Sequence, residues 1–215
     1  MISLNQICFC SFLNLDFFYL VSNSPSMSSH HVVREKQEPA LLVLGLDNFT
    51  DELLGQLLEW SPTVITTPQT AEKLNAYGIK IDWIITNNTD EVFQSDVKLM
   101  PANDDNLISA ALKQLTRNGF PAVNIVTDEL NLTDYEPYAS QINLVVFNEG
   151  KKIYPVNPGF SKWKPAGETI ELLTQAKEFR AEGLEKVGDN LYKTIKDGLF
   201  SLHFDQPFLF IAEEL

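Results

Sequence analysis

The sequence has almost no cysteine, little basic charge and no glycine-rich fingerprint, and each shortage removes a class of function. Its two cysteines, Cys8 and Cys10, both fall within the first ten residues. The rest of the chain therefore has no disulfide and no cysteine-based metal site, which fits a reducing, cytoplasmic compartment. Lys and Arg number 16 against 29 Asp and Glu, a formal charge of -13, and no basic run stands out. Nucleic-acid binding requires clustered cations that displace counterions, so no nucleic-acid partner is expected. The same balance repels polyphosphates unless a metal or a local basic pocket intervenes. Gly45 and Gly55 stand alone, with no G-x-G-x-x-G phosphate cradle. The apolar stretch Met1 to Val21 is broken by Asp16 and lacks a basic start. It suits neither a secretory signal nor a span of about 18 continuous apolar residues. We read it as lying ahead of a true start at Met27, with a cryptic signal as the second reading and a membrane helix as the last.

What is present is a core. With 44% hydrophobic residues over 215, the chain can bury one large core or two small ones. Residues 1–37 read as a leader in which His30 and His31 are solvated, with no third ligand type nearby. The N-x-Thr triplets at Asn48, Asn87 and Asn131 read as chance matches.

From Ala40 the pattern alternates between short apolar runs and helical periodicity. "ALLVLGL" is a strand buried on both faces, Asp47 to Thr50 offers helix caps, and Leu53, Leu54, Leu57 and Leu58 recur on one helical face. The stretch from Thr63 to Val92 organises the rest: a buried strand, a turn at Pro68-Gln69-Thr70, a short helix ending at Gly78, a second buried strand and a polar loop from Thr86. "DVKLMPA" reads as another strand. Asn103 to Asn106 then caps a helix that buries Leu107, Ile108, Ala111, Leu112 and Leu115 and ends at Gly119, and "AVNIV" follows as a strand. Alternating strands and helices predict an α/β domain with a parallel sheet over residues 38–150. Beyond Gly150 the alternation becomes period two, with Phe200, Leu202 and Phe204 on one side of a strand and Ser201 and His203 on the other. That predicts a small all-β sandwich domain over 151–215. Trp60 and Trp83 read as core, and Trp163 as a loop residue flanked by Lys162 and Lys164.

The frame around Gly78-Ile79 and Ile84-Ile85 resembles the thiamine pyrophosphokinase family, in which a helix ends at "G-I-x-P-D" and the next strand runs into "I-I-G-D-x-D-S". "AEGLEKVGDNLY", Ala181 to Tyr192, resembles the "T-x-G-L-K-x-x-L" segment of the family's small β domain, so the resemblance covers most of residues 40–215. The polar tips depart from it. The family's Asp-Gly turn is Pro68-Gln69 here, and its aspartates fall at Asn87, Thr89 and Asn106. After Val126 the chain has Thr127-Asp128-Glu129-Leu130 in place of a Gly-rich loop with Arg and an Asp-His pair, and a helix is missing before the strand at Gln141.

The resemblance implies pyrophosphoryl transfer from ATP to thiamine with Mg²⁺ in a homodimer. That chemistry needs carboxylates to hold the metal, and an amide gives Mg²⁺ only a neutral oxygen. We assign no catalytic residue. Gln69, Asn87, Asp90, Asn106 and Trp163 are the candidate ligand-binding residues, with Trp163 able to stack on a flat heterocycle, and Asp90, Asp104 and Asp105 are the candidate metal ligands. Three functions follow as expectations. The first is a degenerate member that binds thiamine, a related heterocycle or a partner. The second is an active enzyme using ATP and Mg²⁺ with a rebuilt site, and the third is an interaction protein that keeps only the dimer scaffold. No membrane partner is expected.

Overall fold

The computed structural model describes residues 38–88, 96–103 and 105–215. The leader, with its cysteines and His30 and His31, lies outside the described residues, as do Thr89, Asp90 and Asp104. The first half runs β1 (Ala40–Val43), α1 (Asp51–Leu58), β2 (Val64–Thr66), α2 (Pro68–Ala76), β3 (Trp83–Thr86), β4 (Lys98–Pro101), α3 (Leu107–Arg117), β5 (Ala122–Val126) and β6 (Asn143–Asn148). These six strands pair in parallel in the order β4-β3-β2-β1-β5-β6.

Every residue of β1, β2 and β5 is buried because helices cover both faces of this sheet. Ala40 and Leu42 pack toward α3 with Ala111, Leu112 and Leu115. Leu41 and Val43 pack on the opposite face with Leu54 and Leu57 of α1 and Leu74 of α2. Thr50 caps α1 by accepting the Leu53 N–H, and Pro68 opens α2, where its missing N–H costs nothing. The expected turn at Pro68-Gln69-Thr70 is therefore the first turn of α2. Two single 3₁₀ turns, Leu132–Asp134 and Glu136–Tyr138, connect β5 to β6, which fits the short connection expected there. No helix among the described residues is long and apolar enough to cross a membrane.

The second half runs β7 (Lys151–Val156), β8 (Phe160–Lys164), β9 (Thr169–Leu172), β10 (Arg180–Glu182), β11 (Leu184–Lys186), β12 (Leu191–Thr194), β13 (Gly198–His203) and β14 (Leu209–Glu214). A turn at Glu149-Gly150, both with positive φ, joins β6 to β7 as an antiparallel pair. The large sheet thus continues without a break through β7-β14-β9-β12-β11, while β10-β13-β8 form a second, antiparallel sheet. Ile170, Leu172, Leu209 and Ile211 of the first meet Phe200 and Leu202 of the second in a separate core. Gly183 lets the chain pass from β10 in one sheet to β11 in the other. Its φ is +75°, and a Cβ there would lie 2.8 Å from the Leu199 carbonyl oxygen.

Two aromatic assignments are corrected. Trp60 lies beyond the end of α1 and is 62% exposed, so it is not core. Trp163 sits within β8, paired with Leu199 of β13, and not in a loop. The polar spelling Ser-Lys-Trp-Lys hides that strand because its inward residues are Lys162 and Lys164, with Trp163 pointing out at 57% exposure.

Candidate functional site at the carboxyl edge

In an open α/β sheet the natural crevice lies beyond the carboxyl ends of the strands, where the order of winding reverses. Here β1 has β2 on one side and β5 on the other, so the crevice falls between the loops that follow β1 and β5. Asp128, after β5, spans it. Its two carboxylate oxygens accept the N–H groups of Asp47 and Asn48, at 3.1 and 3.0 Å. Gly45 makes this approach possible, since a Cβ at that position would lie 2.2 Å from Asp128 Oδ2 and 2.9 Å from the Asp128 backbone nitrogen. Lys73 of α2 reaches over to pair with Asp47. The hydrogen bond to Asp47 raises the pKa of the Lys73 ammonium above its usual value, and the Asp128 charge adds to this against the opposing effect of desolvation.

The neighbouring tips are closed by threonines. Thr127 Oγ1 donates to the Glu129 carbonyl and accepts its N–H, at 2.8 and 3.2 Å. Thr86 makes the same pair with Asn88, at 3.1 and 2.9 Å. Such side-chain turns stop a strand without using a partner from elsewhere.

The structure places the sequence candidates unevenly. Gln69, in the first turn of α2, and Asn87, at the end of β3, are exposed at adjacent tips of the same edge. Asn106 is the N-cap of α3: its oxygen accepts the Ser109 N–H and its nitrogen donates to Asp134, both at 2.7 Å. Asp105 receives Lys113 on both oxygens, at 2.6 and 2.7 Å. Trp163 stands apart from the other candidates in the second sheet, and Asp90 and Asp104 lie outside the described residues. Asn106→Ala is expected to cost about 1 kcal/mol, the usual loss of an N-cap. The urea midpoint of the variant reads this out.

Mg²⁺ prefers free carboxylate oxygens with water completing an octahedron. Among the described residues, Asp128 is engaged by backbone, Asp105 by Lys113 and Asp47 by Lys73. No group of three potential ligands converges among them. The described side chains therefore do not fit the metal that pyrophosphoryl transfer needs, and no step is derived through it.

Sequence reasoning missed a second cluster, which lies on the same edge. Strand register carries Phe147 of β6 onto Lys152 of β7 and Lys152 onto Glu213 of β14. Glu213 is 2% exposed, with Lys162 at 3.0 Å and Lys164 at 3.4 Å from Oε2, while the Tyr154 hydroxyl donates to Oε1 at 2.8 Å. Burial alone would push the Glu213 pKa up, but the two ammonium groups and these hydrogen bonds outweigh it and hold it below the usual value. The only signal in the sequence was period two across Phe160, Lys162 and Lys164, and the lysines disguised it.

No protein-family model matches the chain, and no curated protein matches it in sequence. Solved structures do match in three dimensions. A probable thiamine pyrophosphokinase from Staphylococcus saprophyticus subsp. saprophyticus is 14% identical with a TM-score of 0.62, covering 82% of this chain and 98% of its own. The thiamine pyrophosphokinase of Bacillus subtilis is 13% identical with a TM-score of 0.60, covering 82% and 99%. The thiamin pyrophosphokinase of Candida albicans is 10% identical with a TM-score of 0.59, covering 83% and 89%. With 82–83% of this chain and 89–99% of these proteins covered, the chain has the fold of the thiamine pyrophosphokinases.

Proposed function

We propose that this is a thiamine pyrophosphokinase-like protein that binds a small ligand, thiamine or a related heterocycle, and does not transfer pyrophosphate. The observation that carries this reading is the engagement of Asp128. At the switch point of the sheet its carboxylate ties two loops together through backbone N–H groups and is not held open toward a ligand. Preorganised charge is the main source of catalysis in phosphoryl-group chemistry, and here it serves to fix the loops. The ligand face would be the exposed amides of Gln69 and Asn87, which offer hydrogen bonds to a neutral or cationic heterocycle.

A homodimer accords with the exposed cross-strand pair Trp163 and Leu199, 57% and 70% accessible, since an outward apolar pair of this size suits a subunit contact. The cytoplasm is the compartment proposed.

The test is thermal stability of the full chain with thiamine, ATP and Mg²⁺, singly and together. Thiamine should stabilise the protein without Mg²⁺, by about 2.7 kcal/mol at a hundred times its Kd. Stabilisation by ATP that depends on Mg²⁺ would overturn the reading, and no shift with thiamine would remove thiamine as the ligand.

A further inference from the structure

The large sheet ends at β4, while α3 packs on β3, one strand short of that edge. The space left over β4 is a cleft of about 350 Å³, within the size range of small-molecule sites. On its floor Trp83 and Lys98 are register neighbours on β3 and β4, and Met100, two residues beyond Lys98 on the same face, is buried in the core beneath α3. The Trp83 ring is held edge-to-face against Phe120, with centroids 5.8 Å apart. Lys113 and Arg117, one helical turn apart on α3, line the opposite wall.

The described lining of this cleft is net positive in an acidic chain, with Lys98, Lys113 and Arg117 set against the carboxylate of Asp105. Lys73, Lys80, Lys113, Lys151, Lys162 and Lys164 all have carboxylate partners. The side chains of Lys98 and Arg117 have neither an ion pair nor a hydrogen-bond partner among the described residues; the same holds for Lys177, Arg180, Lys186, Lys193 and Lys196 in the second half, but Lys98 and Arg117 line one cleft together. Two unpaired cations thus face one apolar floor in a protein of charge -13. Lys98 opens β4, and α3 returns from the carboxyl edge to end at Arg117, so the cationic end lies at the amino edge of the sheet. It is therefore separate from Gln69 and Asn87 and independent of the function proposed above.

We propose that this cleft binds a small organic anion, a flat apolar ring bearing a carboxylate or phosphate. The ring would lie against Trp83 and Met100, with the anionic group held by Lys98 and Arg117. A charged ligand group shared by two cations gains charge-assisted hydrogen bonds, and the apolar floor supplies the remaining contact.

The full chain should be titrated with phenyl phosphate, benzoate and, as the neutral control, phenol, following the assigned Trp83 indole N–H resonance by NMR. At least one of the two anions should shift it saturably and phenol should not, and which anion binds identifies the group. A Lys98→Ala/Arg117→Ala double variant should bind about tenfold or more weakly. Both side chains are exposed, so its melting temperature should be unchanged. The proposal is overturned if neither anion binds, if phenol binds as well as they do, or if the double variant binds undiminished.

Discussion

Glu213→Ala is expected to lower folding stability by about 3–5 kcal/mol, the cost of leaving buried charges without their partner. Lys162 and Lys164 are 8% and 3% exposed, so neither can recover full hydration once the carboxylate is gone. Tyr154 also loses the acceptor of its 2.8 Å hydrogen bond. Glu213→Gln should fall between, since the amide oxygen can still accept one bond but carries no charge. Replacing Lys162, Lys164 and Glu213 together with Met, Met and Leu should be near neutral or stabilising, because an apolar core avoids the desolvation cost altogether. The pH dependence has a definite sign. The folded Glu213 pKa lies below the usual 4.5, so its contribution is complete above that value and is lost as pH falls through the folded pKa. Urea midpoints measured from neutral to acid pH should therefore drop more steeply for the native chain than for Glu213→Gln. A cost within about 0.5 kcal/mol for Glu213→Ala, typical of surface changes, would mean that the cluster is solvated.

Gly45→Ala is expected to cost about 3 kcal/mol, at the upper end of the range for overpacking. The backbone at Gly45 does not need positive φ, so the effect is a clash and not strain. The added Cβ would meet Asp128 Oδ2 at 2.2 Å and, less easily relieved, the Asp128 backbone nitrogen at 2.9 Å. Moving Asp128 away releases the N–H groups of Asp47 and Asn48. Asp128→Ala alone should cost about 1.5 kcal/mol, the scale of hydrogen bonds to a charged group. The double variant should cost less than the sum, because the two residues act through one contact. Urea unfolding of the four proteins reads the coupling directly, and strict additivity would show that Asp128 does not lock the β1 loop.

The parts of this fold that could be read in the sequence are those with one clear period. The continuous apolar run in β1 and the one-faced leucines of α1 and α3 follow from burial on both sides of a sheet. Strand order has no such local signature. The crevice between β1 and β5 depends on a partner 81 residues away from Asp47, so no local pattern at the β2 and β3 tips points to it. The alternation in β8 was present but spelled with lysines facing inward, which Glu213, at the far end of the chain, helps make tolerable. Asn106 shows the reverse case. Its position matched a family aspartate, yet what it does here is cap α3 and hold Asp134.

Loss of pyrophosphoryl transfer is tested by a product assay: the full chain with ATP, Mg²⁺ and thiamine, followed by chromatography for thiamine diphosphate and AMP. Neither product should rise above the enzyme-free control. Thiamine diphosphate formed together with an equal amount of AMP, and lost on substitution of Asp90, Asp104 or Asp105 by Ala, would contradict it and establish a working pyrophosphokinase.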